Sequence, residues 1–152
     1  MHILSKKIIE VTFVNPTGGS IRMDNAGDGH HGAPRGSRLH DGVDFGYAAW
    51  KPDHPVVAPV TGRYVRPSLP YTNDPEWQGM FIVAPNIEIK MWYCVPIVKM
   101  GAVVEAGKII ATGQNIGEKY SGALPHVHLR ITKCDPELIF PFPETAVDGG
   151  GG

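Results

Sequence analysis

The sequence is poor in cysteine, close to neutral in charge and without long apolar runs. Its two cysteines among 152 residues, Cys94 and Cys134, are too few for a disulfide framework, so we expect two small buried apolar side chains. A formal net charge of −1 offers no basic surface to nucleic acid or to an anionic membrane. No apolar run approaches the roughly 20 residues of a membrane-spanning helix. We therefore expect no nucleic-acid partner and no membrane span.

The amino-terminal segment has no features of a secretory leader. Residues 8–14 form a short apolar run that is interrupted by Glu10 and followed by no small-residue cleavage site. We expect a first strand there. We also expect the chain to stay in the cytoplasm, unless lysis or a phage particle delivers it to a cell wall.

Glycine and proline are abundant, with 19 and 14 residues, and they interrupt the chain about every 10 residues. Between them lie short runs of β-branched and aromatic residues, and no long stretch has helical periodicity. This pattern predicts an all-β fold of antiparallel sheets in a sandwich or barrel-like arrangement. The expected strands are residues 8–14, 56–65 (with an edge or bulge at Pro59), 80–83, 87–93, 103–104, 108–111 and 126–131. We expect one domain over residues 1–148 and a flexible glycine tail over 149–152.

Two segments are loops by composition, residues 15–38 and residues 66–79. Long ordered loops in a compact domain often carry function. We expect Tyr71 and Trp77 to be exposed on the second loop, where with Trp50 they form either a binding surface or packing contacts.

The first chemical motif is His40-Asp41-Gly42-Val43-Asp44. An imidazole and a carboxylate lie four residues apart around a glycine, which lets the backbone turn so that both side chains converge on one ion. A solvated turn is the alternative.

The second motif is His126-Val127-His128. Strand alternation puts both imidazoles on one face, about 7 Å apart, and a polar outer face is the alternative. One carboxylate with two or three imidazoles matches the ligand set of a catalytic zinc, which leaves one position for water. The spacing alone leaves open whether both histidines bind the metal.

These motifs resemble the lysostaphin-type (LytM-like) zinc metallopeptidases, which cut peptide cross-links in bacterial cell walls. The resemblance covers about residues 21–140, including the run from Val57 to Gly62 and the glycine-punctuated hairpin at 98–110. It implies a groove-shaped duplicated hybrid motif and one Zn²⁺ per chain, bound by His40, Asp44 and His128. It implies that His126 faces the reacting water or the intermediate. In an endopeptidase of this type, we expect Tyr93 to donate to the oxyanion. The implied partner is a peptidoglycan peptide or another cell-wall polymer.

One position departs from that family. Its active members have Trp-Tyr-x-His, whereas this chain has Trp92-Tyr93-Cys94-Val95. Valine neither transfers a proton nor donates a hydrogen bond, and losing such a group costs about two to four decades of rate. A branch of the family, the leukocyte cell-derived chemotaxin 2-like proteins, lacks the same histidine. This chain resembles that branch at residues 21–24, 90–97 and 120–122. Its animal member is regarded as a binding protein.

Two functions therefore stay open at this point. The first is a peptidoglycan endopeptidase with an attenuated site, for which a substitute histidine could come from His30, His31 or His54. The second is a non-catalytic zinc-stabilised module that binds glycan, peptide or protein. The fourth zinc position is expected to hold water or a side chain from the first loop, such as Asp24, Asn25 or Asp28.

Overall fold

The computed structural model describes residues 9–10, 12–24, 27–28, 34–35, 38–39, 42–85, 87–134 and 138–139. These residues form β-strands and one short 3-10 helix, Ile116–Glu118. The strands are β1 (Ile9–Glu10), β2 (Met23–Asp24), β3 (Gly27–Asp28), β4 (Pro34–Arg35), β5 (Arg38–Leu39), β6 (Val43–Gly46), β7 (Pro55–Val57), β8 (Gly62–Pro67), β9 (Gly79–Ala84), β10 (Ile87–Trp92), β11 (Cys94–Pro96), β12 (Val103–Val104), β13 (Ile109–Gly113), β14 (His126–Cys134) and β15 (Leu138–Ile139).

The main sheet has six strands in the order β12-β8-β9-β10-β14-β6, and every neighbouring pair is antiparallel. A second antiparallel sheet has the order β11-β13-β7. Strands β2 and β3, and β4 and β5, form short antiparallel pairs, whereas β1 pairs with β15 in parallel. The predicted all-β antiparallel fold is therefore confirmed.

The hydrophobic core joins the two larger sheets. Alternation in β10 buries Ile87, Ile89 and Met91, while Glu88 and Lys90 between them are half-buried. Burying each such aliphatic side chain contributes about 1.5–3 kcal/mol. The same cluster contains Phe45, Met80, Ile82, Val127 and Leu129 from the main sheet, and Val56, Cys94 and Ala111 from the second. Period-two patterning thus closes one side of the main sheet and leaves the other side for polar groups.

Cys94 is one of these core residues, as expected for a small apolar side chain. It is a fully buried free thiol, and burial raises its pKa to about 12. The side chain of Cys134 lies outside the described residues.

The prediction of one strand over residues 56–65 is wrong, because this segment contains two strands, β7 and β8. The intervening residues turn and pack inward, and Ala58, Pro59 and Val60 are all buried. The Ala58 amide still donates to the Lys108 carbonyl next to β13, whereas Pro59 has no amide hydrogen to donate. Proline therefore marks a break here and not a bulge within one strand.

The predicted exposure of Trp77 is also wrong. Trp77 is 5% exposed and packs with Tyr93 and Ile116, with Tyr71 and Trp92 against them. An indole carries a large apolar area, so it buries whenever neighbouring segments offer a surface. Residues 68–78 therefore pack onto the domain as an ordered segment.

Among the described residues, none of the helical segments has the length and apolar character needed to cross a membrane.

Candidate metal centre and active site

Two adjacent strands bring the predicted polar residues together. In the antiparallel register of β6 and β14, Asp44 pairs with His128, and Gly46 pairs with His126. Their neighbours Phe45 and Val127 face the core, so alternation directs Asp44, His126 and His128 to the other face. All three are nonetheless buried, at 2%, 4% and 5% exposure. The site is therefore a buried polar cluster on the main sheet.

The Asp44 carboxylate and the His128 imidazole are in direct contact. Asp44 Oδ1 lies 2.9 Å from His128 Nδ1. Two such donors bound to one tetrahedral zinc lie roughly 3.4 Å apart, from zinc distances of about 2.1 Å. The two observed atoms are thus about half an ångström closer together than in such a zinc site. A carboxylate oxygen and an imidazole nitrogen are both zinc donors. This part of the donor set fits the metal.

The His128 ring is also fixed from the side by Trp92. The two rings stack at 4.9 Å between centroids with an interplanar angle of 19°, and their residues are partners across β10 and β14. The Trp92 indole in turn donates to Ser68 Oγ at 2.9 Å. Because stacking and the hydrogen bond hold the indole, the imidazole is restricted to one orientation.

Gly42 lets the chain pass close to this imidazole. A Cβ atom at Gly42 would lie 2.7 Å from His128 Cε1 and would also collide with the Leu129 carbonyl. Real Cβ atoms do not approach that closely, so the position requires glycine. Glycine thus permits a close backbone approach beside His128.

Arg22 is a part of the site to which sequence reasoning gave no role. It is 7% exposed, and its Nε donates to Asp44 Oδ2 at 2.8 Å. An isolated bridge between Ile21 and Phe45, together with the hydrogen bond from the Arg22 amide to the Asp44 carbonyl, aligns this segment with β6. The guanidinium therefore neutralises a buried carboxylate and fixes its orientation. Its partner is 22 residues away, and no spacing rule in the sequence links the two.

His126 has a defined tautomer. Its Nδ1 lies 2.7 Å from the Leu124 carbonyl, which accepts only, so Nδ1 carries the proton and donates. Burial lowers the pKa of His126, which keeps the ring neutral at pH 7. The unprotonated Nε2 then lies 3.6 Å from Asp44 Oδ2. The geometry presents a basic nitrogen beside the Asp44–His128 pair.

Tyr93 also contacts the His126 ring. Their rings meet edge to face, with centroids 5.4 Å apart. Strand β10 ends at Trp92, and Tyr93 has φ +75°, an unfavourable conformation for a residue with a side chain. This strained backbone interrupts the alternation of β10 after Trp92, and Tyr93 faces the site and not the core.

Neither Val95 nor the described alternative, His54, adds a basic group to these contacts. Val95 is half-buried in β11 and follows the core residue Cys94, so its side chain points away from the core. His54 packs against Tyr47 and Trp50 and lies 3.1 Å from the Pro55 carbonyl. His30 and His31 lie outside the described residues.

The remaining predicted ligand, His40, also lies outside the described residues, as do Asn25 and the side chains of Asp24 and Asp28. Within the described ranges, His, Cys, Asp and Glu side chains form no group of three that could hold a metal ion. The described part of the site therefore comprises the Asp44–His128 pair with Arg22, His126, Trp92 and Tyr93 around it.

Comparisons with known proteins were made for the whole chain. No family model matches it. Leukocyte cell-derived chemotaxin-2 of Bos taurus is 32% identical over 113 residues, which are 74% of this chain and 71% of that protein. The antimicrobial peptidase lysostaphin from Staphylococcus simulans superposes with a TM-score of 0.55 and 25% identity, over 92% of this chain and 58% of its own.

A zinc-containing peptidase from Vibrio cholerae has the same fold. Its TM-score is 0.52, with 23% identity over 79% of this chain and 36% of that chain. This chain thus spans just over half of lysostaphin and about a third of the Vibrio peptidase, and it matches one region of each.

Proposed function

This chain belongs to the lysostaphin-type (LytM-like) zinc metallopeptidase family, and from that membership and the site we propose that it is a zinc-dependent peptidoglycan endopeptidase. The observation that carries the proposal is the neutral His126, whose unprotonated Nε2 lies 3.6 Å from a carboxylate that also contacts His128. A folding role alone does not require a second, oriented imidazole beside the first. Lysostaphin, named as an antimicrobial peptidase, supports the reaction class.

The residues that would hold the metal are His40, Asp44 and His128. The oxygen and nitrogen donors of Asp44 and His128 fit zinc in type and approximate spacing. The chemistry that zinc supplies when bound at such a site is polarisation of a scissile carbonyl and a lowered pKa for water. Arg22 donates to the second Asp44 oxygen and so orients the carboxylate that would bind the metal.

His126 serves as the general base in this proposal. Its Nε2 accepts a proton from the attacking water, and the bond from Nδ1 to Leu124 keeps the lone pair on the site side. Tyr93, edge-on to His126, supplies a hydroxyl donor for the oxygen that becomes negatively charged. The substrate is a peptide cross-link of peptidoglycan. The water oxygen bonds to its amide carbon, the carbon–nitrogen bond breaks, and the proton taken by His126 passes to the leaving nitrogen.

The test is the release of new amino groups from purified peptidoglycan by the zinc-loaded protein. We expect His126→Gln to lower the rate by about 100-fold to 10,000-fold without loss of zinc. Treatment with a chelator should abolish release, and added zinc should restore it. His54→Gln is the matched control, since His54 contacts Tyr47, Trp50 and Pro55, and it should retain the wild-type rate.

A second candidate function is favoured by Val95. Because valine stands where active relatives have a histidine, the domain could be a non-catalytic, zinc-stabilised module that binds glycan, peptide or protein. Absence of release from a sample with one zinc per chain would replace the endopeptidase by this module. Release that persists in His126→Gln would instead contradict the assigned base.

A further inference from the structure

Three tyrosine hydroxyl groups form a continuous hydrogen-bonded chain that ends beside the site. The Tyr120 hydroxyl donates to the Tyr71 hydroxyl at 2.7 Å, and the Tyr71 and Tyr93 hydroxyls are 2.9 Å apart. The three residues come from separate segments of the polypeptide. Such a series of hydroxyl groups is a specific arrangement, because each hydroxyl must be positioned within a few tenths of an ångström.

The surroundings hold this chain in place. Lys119 bonds to Asp74 at 2.8 Å, and its ammonium lies 4.7 Å from the centre of the Tyr71 ring. Trp77 and Ile116 bury the Tyr93 ring beneath Tyr71. The 68–78 segment and the segment after β13 are therefore connected to each other across the hydroxyl chain.

The last tyrosine of this series, Tyr93, contacts the site through its ring. Tyr93 contacts His126 edge to face, and its backbone is held in a strained conformation with φ +75°. Strained backbone of this kind is typical of functional positions. It turns Tyr93 to the face that Asp44 and His126 occupy.

The protons of the chain can be counted. Each phenol has one proton to donate and accepts through its lone pairs. Tyr120 already donates to Tyr71; when Tyr71 donates to Tyr93, the Tyr93 proton remains for a ligand in the site. Negative charge developing beside Tyr93 selects this orientation, because hydroxyl groups aligned in one direction polarise one another.

We propose that Tyr71 and Tyr120 are positioning residues that align the Tyr93 hydroxyl as the oxyanion donor, in place of the histidine that Val95 replaces. This inference rests on the proposed endopeptidase function. No proton is transferred in this role: the Tyr93 proton stays on its oxygen and is shared with the substrate oxygen in a hydrogen bond.

Protonation of the chain agrees with this role. Burial raises the pKa of Tyr93 to about 12. The pKa of Tyr71 is also raised, first by burial and then by the hydrogen bonds with Tyr120 and Tyr93. Both phenols therefore carry their protons over the range in which peptidases work.

Removal of single hydroxyl groups tests the proposal with little change in packing. Tyr93→Phe should lower kcat about 100-fold, as loss of one oxyanion donor does, with KM and zinc content unchanged. Tyr71→Phe should lower kcat about 10-fold, since it weakens the donor without removing it. The double variant should be no slower than Tyr93→Phe, because Tyr71 acts through Tyr93. Tyr47→Phe is the control, since its buried hydroxyl has no hydrogen-bond partner in the described structure.

A second readout does not depend on turnover. A cross-link peptide in which a phosphinic group replaces the scissile amide mimics the tetrahedral intermediate, and its affinity is measured by calorimetry. Tyr93→Phe and Tyr71→Phe should weaken its binding in the same ratios as kcat, and Tyr47→Phe should not.

The outcomes separate the two proposals. Wild-type protein that neither releases amino groups nor binds the phosphinic peptide overturns the endopeptidase function, and the tyrosine role with it. Wild-type hydrolysis with Tyr71→Phe at the wild-type kcat overturns the tyrosine role alone. Independent, additive effects of Tyr71→Phe and Tyr93→Phe would also overturn it.

Discussion

At the residue scale, the two oxygens of the Asp44 carboxylate have different neighbours. Oδ1 lies 2.9 Å from His128 Nδ1, whereas Oδ2 accepts from Arg22 Nε at 2.8 Å and lies 3.6 Å from His126 Nε2. A carboxylate that is 2% exposed requires such pairing, because a buried charge without a partner is costly. Arg22 therefore bonds one carboxylate oxygen, while the other lies against the nitrogen of His128, the second described residue that would hold the metal.

Arg22→Gln should therefore weaken zinc binding. Without the guanidinium the carboxylate loses its orientation and its charge partner, and loss of such supporting contacts typically costs about 10-fold to 100-fold in metal affinity. Competition with a chromophoric chelator measures the zinc affinity of the folded variant. Arg63→Gln is the control, because Arg63 is exposed and bonds the Gly101 carbonyl. Equal zinc affinity in both variants would show that Arg22 does not orient Asp44.

At the element scale, the site depends on the register of β6 against β14. All four residues of β6 are buried, with Val43 and Phe45 towards the core and Asp44 towards the site. A slip of one residue would exchange these faces, so core packing also fixes the position of the polar groups. The close passage of Gly42 past His128 and Leu129 belongs to the same arrangement.

Gly42→Ala should disturb this packing. The added methyl group meets the Leu129 carbonyl and the His128 ring, and such overpacking costs about 1–3 kcal/mol. Urea unfolding measures the loss of stability. Gly46→Ala is a matched control on the same strand, where the nearest atom to an added Cβ is the Ser20 carbonyl oxygen at 3.3 Å. Equal stability losses in the two variants would contradict the specific crowding at Gly42.

At the scale of the whole molecule, the sequence predicts those features that depend on residues close together along the chain, such as strands and the faces of their side chains. Alternation identified β10 and β14 and put His126 and His128 on one face, because strand geometry repeats every two residues. The break at residues 58–61 and the burial of Trp77 depend on contacts with distant segments, so local patterns missed both. Arg22 and the chain from Tyr120 to Tyr93 are likewise long-range contacts. The histidine and carboxylate motifs could be found by spacing, whereas their supporting residues could not.

The measurement that tests the central claim most directly is the zinc content of the folded chain, by native mass spectrometry. We predict one zinc in the wild-type protein and its loss in Asp44→Asn and His40→Ala, with a lower melting temperature in each, because structural metal binding adds folding free energy. His54→Gln should keep the zinc. A wild-type chain without zinc, or full zinc occupancy in Asp44→Asn, would contradict the metal centre on which the proposed reaction depends.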